Sequence, residues 1–318
     1  MRTYLSRRLF TLIPVIIGVT FAVFIMLHLM PVDPVMMMIT ELSSGQAPVQ
    51  PNEVTKARYD EMRHEMGLDR PLLVQYGAFL GRVLRGDLGK SFQTRRTVWD
   101  MITRNVGSTA ELAVAGLGLA VVLGIVLGVI AALRRDTWLD ATVMAFSVTG
   151  LSLPSFWLGI MLILLISFKL GLLPVLSPRG WEGLILPALT LGLRASAVIA
   201  RLTRASLVEI LNLDYVRTAR SKGLPARMVV VNHALRNALI PVVTVVGLQF
   251  GNLLSGAVIV ESVFGRPGIG SMAVRAILFK DFPLVQGTVL VLAISYVCVN
   301  LLVDLSYAWL NPQIRLGG

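Results

Sequence analysis

Six long apolar runs, separated by shorter polar segments, dominate the pattern along this chain. They are residues 9–30, 109–133, 144–168, 184–200, 239–263 and 284–310. About 20 apolar residues in a helix cross the hydrocarbon core of a bilayer, so each run predicts a transmembrane helix. Pro154 predicts a kink in the third run, and Arg194 makes the fourth run the weakest. Six spans place both termini on the same side of the membrane.

The basic residues between the runs give the orientation. With the N-terminus inside, residues 1–8, 134–140, 201–238 and the tail carry 13 Lys and Arg residues, against five in the two short outer loops. Cytoplasmic loops carry such an excess, so the pattern predicts N-in and C-in. A signal peptide is the alternative interpretation of the first run. However, that run is longer than a signal core, and Pro31-Val32-Asp33-Pro34 follows it instead of a small-residue cleavage site.

Composition agrees with an all-α integral membrane protein. Of 318 residues, 55% are hydrophobic and only 15% are charged, and there is one cysteine. This excludes an ordinary soluble globule, a disordered chain and a disulfide scaffold. The net charge of +11 is accounted for by membrane-flanking loops, so no nucleic-acid partner is expected.

The polar segments suggest four regions. Residues 1–30 form a cytoplasmic tip and the first span, 31–104 a small extracytoplasmic insert, 105–310 a core of five spans, and 311–318 a cytoplasmic tail. Within the insert, residues 53–75 favour a helix that breaks at Pro71, residues 76–85 a second, and 98–104 a third. A floppy loop is the alternative.

The cytoplasmic loop 201–238 is longer than a simple connection requires. Residues 209–220 predict a helix, Gly223 a stop, and Pro225 the first turn of a second helix that runs toward Leu235. The corner between them is both apolar and basic. Two interpretations remain open: a docking surface for a cytoplasmic partner, or an amphipathic helix on anionic lipid.

Motifs for catalysis or metal binding are incomplete. Gly89-Lys90-Ser91 lacks the earlier glycine of a phosphate-binding loop, and the segment from Gly265 to Gly270 is predicted to be a turn. His28, His64 and His233 have no ligand-spaced neighbours, which argues against a metal site. No nucleophile and base stand in a readable arrangement, so we do not expect an enzyme.

Polar residues inside the runs are costly in lipid and therefore informative. Gln249, Asn252 and Ser255 share one face of the fifth run, and Asn300 and Asp304 lie one turn apart in the sixth. They either line a water-filled path or pair between helices. Glu261 and the arginines at 194 and 201 are further candidates. Small residues spaced by four, at 124 and 128 and at 247 and 251, predict close helix packing.

The long cytoplasmic loop resembles the signature of ABC importer permeases. The residues that carry the resemblance are Asp214-Tyr215-Val216-Arg217-Thr218-Ala219-Arg220-Ser221-Lys222-Gly223 and His233-Ala234-Leu235-Arg236-Asn237-Ala238-Leu239-Ile240-Pro241. Arg217-Thr218 stands where the general pattern has Glu-Ala, and His233 and Arg236 also depart from it, as in the dipeptide, oligopeptide and nickel branch. The segments 67–76, 86–91, 186–192 and 311–315 resemble the same branch.

The resemblance implies a type I importer permease fold in the bacterial inner membrane. It also implies a homologous second permease, two cytoplasmic ATPases that bind ATP and Mg²⁺, and an extracytoplasmic solute-binding protein, with no cofactor on this chain. A coupling helix would contact an ATPase through Asp214, Tyr215, Arg217, Thr218, Ala219, Arg220, Lys222 and Gly223. Short peptides are the expected substrate, with glutathione and nickel chelates also within the range of the branch.

A self-sufficient transporter driven by an ion gradient is the competing hypothesis from the residues. In it, Asp304 or Glu261 would carry the proton. The chain shows no inverted repeat of the kind common in secondary transporters, which weighs against it.

Overall fold

The computed structural model describes residues 2–29, 35, 53–65, 67–174 and 180–310. Within these residues, side chains are described from Pro14 in the first helix to Val303 in the last, except at positions 53–55, 58, 62 and 65. The predictions for Pro31–Pro34 and for the tail 311–318 lie outside these residues. In the described part the regular structure is helical, and β pairing is limited to an isolated bridge between Lys90 and Thr97.

Twelve helices in the described part follow one another along the chain. They are α1 (Arg2–Leu29), α2 (Glu53–Glu65), α3 (Leu72–Leu84), α4 (Val98–Leu133), α5 (Trp138–Ser152), α6 (Ser155–Leu162), α7 (Glu182–Leu211), α8 (Asp214–Ser221), α9 (Ala226–Met228), α10 (Arg236–Val263), α11 (Ile269–Leu278) and α12 (Phe282–Leu310). Two π-helical segments extend them: Ile163–Lys169 continues α6, and Val229–Leu235 joins α9 to α10.

Four or five of these elements have the length and composition of membrane spans. Val98–Leu133, Glu182–Leu211, Ala226–Val263 and Phe282–Val303 qualify singly, and α5 with α6 qualifies as a bent pair. The described apolar stretch of α1, Pro14–Leu29, is shorter than the about 20 residues that cross the hydrocarbon. The chain is therefore an all-α membrane protein with four to five candidate spans.

Three boundaries differ from the sequence predictions. Residues 98–104 are the first two turns of α4 and not a separate helix, because the helical hydrogen bonds continue through Gly107. The predicted helix 209–220 is interrupted at Asn212 and Leu213, which separate α7 from α8. The kink predicted at Pro154 is a sharp break of 111°, because Leu153 has an extended backbone, as residues before proline tend to.

The chain divides into two compact units. The first contains residues 1–106 and 272–295. In it, Phe24 of α1 packs against Tyr76 and Phe79 of α3, and the Tyr76 hydroxyl lies 2.9 Å from the Thr20 hydroxyl. These contacts fasten the second helix of the predicted insert to the first helix of the chain.

Asp281 is the polar centre of the same unit. It is buried, its Oδ2 accepts a hydrogen bond from the Ser91 hydroxyl at 2.5 Å, and its Oδ1 accepts one from the Phe92 N–H at 3.1 Å. It also precedes α12, where its carbonyl accepts the Val285 N–H. Gly89-Lys90-Ser91, which only partly matches a phosphate-binding loop, is therefore held in place by Asp281.

The second unit contains residues 107–271 and 296–318, and its core surrounds α7. Buried residues of α4, α7 and α10 form this core: Leu112, Ala120, Leu186, Ala188, Leu191, Ala195, Ile199, Val242, Leu253, Ala257 and Val260. Close helix packing at the predicted small-residue pairs is confirmed. A Cβ at Gly128 would lie 2.6 Å from the Ala200 carbonyl oxygen, and one at Gly247 would lie 2.5 Å from a Val303 methyl group.

Candidate functional site

The corner formed by α8 and α9 contains all eight residues predicted to contact an ATPase. Helix α8 buries one face: Val216 is 0% exposed and Ala219 is 7% exposed, and both pack against Val229 at the start of the following π-helix. Ile210, Leu211 and Leu224 border this cluster. Ala219 thus belongs to the packed face and not to the exposed one.

Gly223 ends α8 in the way the sequence predicted. Its φ is +77°, in the left-handed region that favours glycine, and its N–H donates to the Arg220 carbonyl. Pro225 then precedes α9, which runs without a gap through the π-helix into α10. The second predicted helix, from Pro225 toward Leu235, is therefore confirmed, and it is continuous with a candidate span.

Hydrogen bonds also join α8 to the π-helix and to the start of α10. The Tyr215 hydroxyl donates to the His233 carbonyl at 3.3 Å, and the Asn237 side-chain amide donates to the Tyr215 oxygen at 3.0 Å. An isolated helix of eight residues is unstable in water. Helix α8 therefore depends on its apolar face and on these bonds for a fixed orientation.

The solvent face of the corner is basic. Arg217, Arg220 and Lys222 are exposed, together with Asp214 and Thr218. Arg217 approaches Asp214 only to 3.9 Å, with both side chains well exposed, and such surface pairs contribute little to stability. The cations are thus available to a partner of opposite charge.

The polar residues predicted to line a path lie on two helices of the second unit. In α10, Asn252 donates to the Gln249 side-chain oxygen at 3.4 Å, and Asn252 and Ser255 are exposed. Asn300 of α12 is half-buried, and its side-chain oxygen would lie 3.3 Å from a Cβ at Gly251. The side chain of Asp304 lies outside the described residues.

Glu261 pairs between helices, which was one of the two interpretations of the polar residues in the apolar runs. It is 0% exposed, and its carboxylate accepts hydrogen bonds from the Thr109 hydroxyl at 2.6 Å and the Ser271 N–H at 3.0 Å. A carboxylate stabilises a helix N-terminus, and Ser271 lies in the first turn of α11. The predicted turn between Gly265 and Gly270 is confirmed up to Gly268. A Cβ at Gly268 would lie 2.1 Å from the Glu261 carboxyl carbon, so glycine is required there.

Two ion pairs went unpredicted. Asp140 of α5 accepts two hydrogen bonds from Arg204 of α7, at 2.5 and 2.6 Å. Arg266, 3% exposed, donates to Glu111 at 2.6 Å. The signal in each case was a charge at the edge of an apolar run, but a sequence does not show which opposite charge faces it. By contrast, Arg194 and Arg201 are exposed on α7.

Metal ligands do not gather in the described part of the chain. No group of three His, Cys, Asp or Glu side chains there could hold an ion. His28 instead lies 3.0 Å from the Gln75 side-chain oxygen, and His64 lies 2.7 Å from Asp69.

Similarity to solved structures defines the class of the fold. The chain is similar to a chain of the inward-facing MetNI methionine ABC transporter, with a TM-score of 0.57, 20% identity, and coverage of 66% of this chain and 96% of that one. A second crystal form of the same transporter gives a TM-score of 0.53. The fold is that of an ABC importer permease.

Sequence comparison then gives the family. Residues 124–316 match the family described as "Binding-protein-dependent transport system inner membrane component", and residues 1–113 match its N-terminal companion family. The chain is 42% identical over 315 residues to the glutathione transport system permease protein GsiC of Pectobacterium atrosepticum, and 41% identical to that of Escherichia coli K12. Each match covers 99% of both chains. The chain belongs to the binding-protein-dependent permease family.

Membership of this family confirms several predictions. The chain is a multi-pass inner-membrane permease subunit of a bacterial ABC importer, it is not itself an enzyme, and it binds no cofactor. ATP is hydrolysed by partner ATPases, and a solute-binding protein is the other implied partner. A self-sufficient ion-coupled transporter is therefore set aside.

Proposed function

We propose that this permease forms half of an import path for short peptides. We further propose that partner ATPases drive its conformational change by contacting the corner of α8 and α9. The observation that carries the proposal is the construction of that corner. One face of α8 is buried against the π-helix that leads into α10, while the opposite face presents Arg217, Arg220 and Lys222. A partner that binds the basic face can therefore move a candidate span.

The proposed topology has six spans with both termini in the cytoplasm. Helix α1 would be the first span, and α5 with α6 would together be the third. Support comes from the excess of basic residues in the inner segments, 13 against five in the short outer loops. Residues 31–104 would then form an insert on the outer side, facing the solute-binding protein.

Movement would pass from the ATPases to the path through a continuous helical connection. From Ala226 to Val263, α9, the π-helix and α10 follow one another without a break. Closure of two ATPases on ATP would displace α8, and Tyr215, bonded to the His233 carbonyl, would carry this displacement to the π-helix. Gln249, Asn252 and Ser255 would line the path on α10, with Asn300 and Asp304 on α12 and a second, homologous permease opposite. Each state of the path is selected by different contacts.

A glutathione-like tripeptide is the first substrate to test. Two relatives at 42% and 41% identity are named as glutathione permeases. Dipeptides and oligopeptides belong to the same chemical class, since each has a peptide backbone and a free carboxylate.

The test is ATP-driven uptake by the complete transporter in vesicles, with Gly223→Pro compared with Gly223→Asn. Proline cannot adopt a φ of +77° and has no N–H to donate, so we expect it to distort the end of α8. Asparagine tolerates the left-handed region. We expect Gly223→Pro to insert normally but to lose glutathione uptake at least ten-fold, and Gly223→Asn to retain most of it. Equal uptake by the two variants would contradict the coupling role.

A further inference from the structure

A large cavity in the first unit lies outside the coupling corner and the candidate path. Its volume is about 940 Å³, and it is bordered by the C-terminal ends of α1 and α2, by α3 and the loops on both sides of it, and by the N-terminal end of α12. Small-molecule sites generally have volumes of about 300–1,000 Å³. The cavity is therefore large enough for a short peptide.

Cationic residues predominate in the lining of this cavity. One lining residue, Asp87, is acidic, and its Oδ1 already accepts the Gly89 N–H at 2.8 Å. Among the residues that the structure describes, no ion pair joins a lining arginine or lysine to a carboxylate, and the lining residue His64 lies 2.7 Å from Asp69. The six cationic residues are Arg63, Arg70, Arg82, Arg85, Lys90 and Arg95.

One of these cations is held in an unfavourable backbone conformation. Arg95 has a φ of +59°, which is uncommon for a residue with a side chain. Its N–H donates to the Ser91 carbonyl, and Ser91 is fixed by the buried Asp281. Strained backbone of this kind persists where the surrounding structure enforces it, often at functional sites.

Aromatic side chains form an apolar part of the same lining. Phe24, Phe79, Phe92 and Phe282 all border the cavity, and the rings of Phe92 and Phe282 lie 6.5 Å apart. A cationic rim beside an aromatic surface suits a ligand with a carboxylate at one end and an apolar or thiol side chain at the other.

We propose that this cavity is a receiving site for the carboxylate of a short peptide before it enters the path. The proposal rests on the proposed function, because the cavity must face the outer side and the substrate must be a peptide. The lining cations attract the carboxylate, and Asp87 opposes it. This chain, and not only the solute-binding protein, would therefore contribute to substrate specificity.

The test measures equilibrium binding of labelled glutathione to the purified transporter without its solute-binding protein. The double variant Arg82→Gln/Arg85→Gln removes two lining charges. The matched control, Arg96→Gln/Arg104→Gln, removes two charges from exposed positions in the same unit that do not line the cavity. We expect the cavity variant to raise the Kd about five- to ten-fold and the control less than two-fold, because solvent-exposed charges act mainly at short range.

A variant that removes a negative charge from the lining should have the opposite effect on the Kd. Asp87→Asn removes the opposing charge while keeping an oxygen for the Gly89 N–H, so we expect the Kd for glutathione to fall about two-fold or more. Succinate should compete with glutathione at lower concentrations than inorganic phosphate does. Equal competition by phosphate would indicate a general anion site and overturn the carboxylate assignment.

Failure of this inference differs from failure of the proposed function. If the wild-type transporter imports glutathione with its solute-binding protein but the double variant binds glutathione unchanged, the cavity proposal is wrong and the function stands. If the double variant instead requires more solute-binding protein for half-maximal ATPase stimulation, with an unchanged Kd, the cavity receives that protein and not the peptide. If the wild-type complex neither binds nor imports glutathione, both proposals fail for this peptide.

Discussion

The attachment of α8 to the π-helix can be tested by shortening one buried side chain. Val216→Ala removes two methyl groups from a side chain that is 0% exposed. At about 0.8 kcal/mol per buried carbon, with a further contribution from the cavity left behind, the loss is about 2 kcal/mol. Because an eight-residue helix has little stability of its own, this loss falls on the docking of α8.

Hydrogen exchange measures that loss directly. A change of about 2 kcal/mol shifts a local opening equilibrium about 30-fold. The N–H groups of Arg217, Lys222 and Gly223 donate to backbone carbonyls in or next to α8. We therefore expect these amides to exchange about 30-fold faster in the variant, while amides within α7 remain protected. The measurement requires the purified chain in detergent or nanodiscs, with peptide-level mass spectrometry.

Val231→Ala is the matched control. Val231 lies in the π-helix next to α8 but is 50% exposed, so the same substitution is expected to change stability by less than about 0.5 kcal/mol. Similar exchange rates in the two variants would refute the conclusion that the apolar face holds α8. Faster exchange throughout the protein would show that Val216 supports the whole unit and not only the corner.

Three further predictions follow from contacts in the two units. Asp281→Ala leaves a buried hydroxyl and a backbone N–H without their acceptor, so we expect a loss of about 2–4 kcal/mol, measured as a lower Tm in detergent, with Asp281→Asn milder. Gly128→Ala would force a Cβ to within 2.6 Å of a carbonyl and cost about 1–3 kcal/mol. Gly118→Ala, which meets nothing within 4 Å, should be neutral or stabilising in the same assay. The hydrogen bond with His64 lowers the pKa of Asp69, so an NMR titration should show a midpoint below the ordinary value of about 3.9. His64→Ala should raise that midpoint.

Much of the helical framework was predictable because lipid imposes a simple rule on sequence. Long apolar helices are required to cross hydrocarbon, and the runs at 109–133, 184–200, 239–263 and 284–310 all fall inside observed helices. The predicted ends of the helices were less accurate than the predicted positions of the spans. Residues 98–104 are too polar to be read as part of a span, yet their helix continues into it because nothing in the backbone interrupts the hydrogen bonds.

In the coupling corner, too, some features were predictable from sequence and others were not. Gly223 and Pro225 were readable because each restricts the backbone in a known way. The break at Leu213 was not, since its extended backbone is not required by its residue type. Short α11 was also missed, because the hydroxyl of Thr109, 160 residues earlier in the chain, accepts the Ile269 N–H at the start of this helix.

The sequence by itself determined the class of this protein: apolar runs of membrane length, basic inner segments, and a loop that resembles a permease signature. These are local properties of the chain, and their effects in lipid do not depend on contacts between distant residues. Only the tertiary structure decided which charges face one another. The pairing of Asp140 with Arg204 and the hydrogen bond between Thr109 and Glu261 depend on contacts between helices far apart in the chain. Burial and electrostatic attraction act through space, so those contacts exist only after the helices have packed.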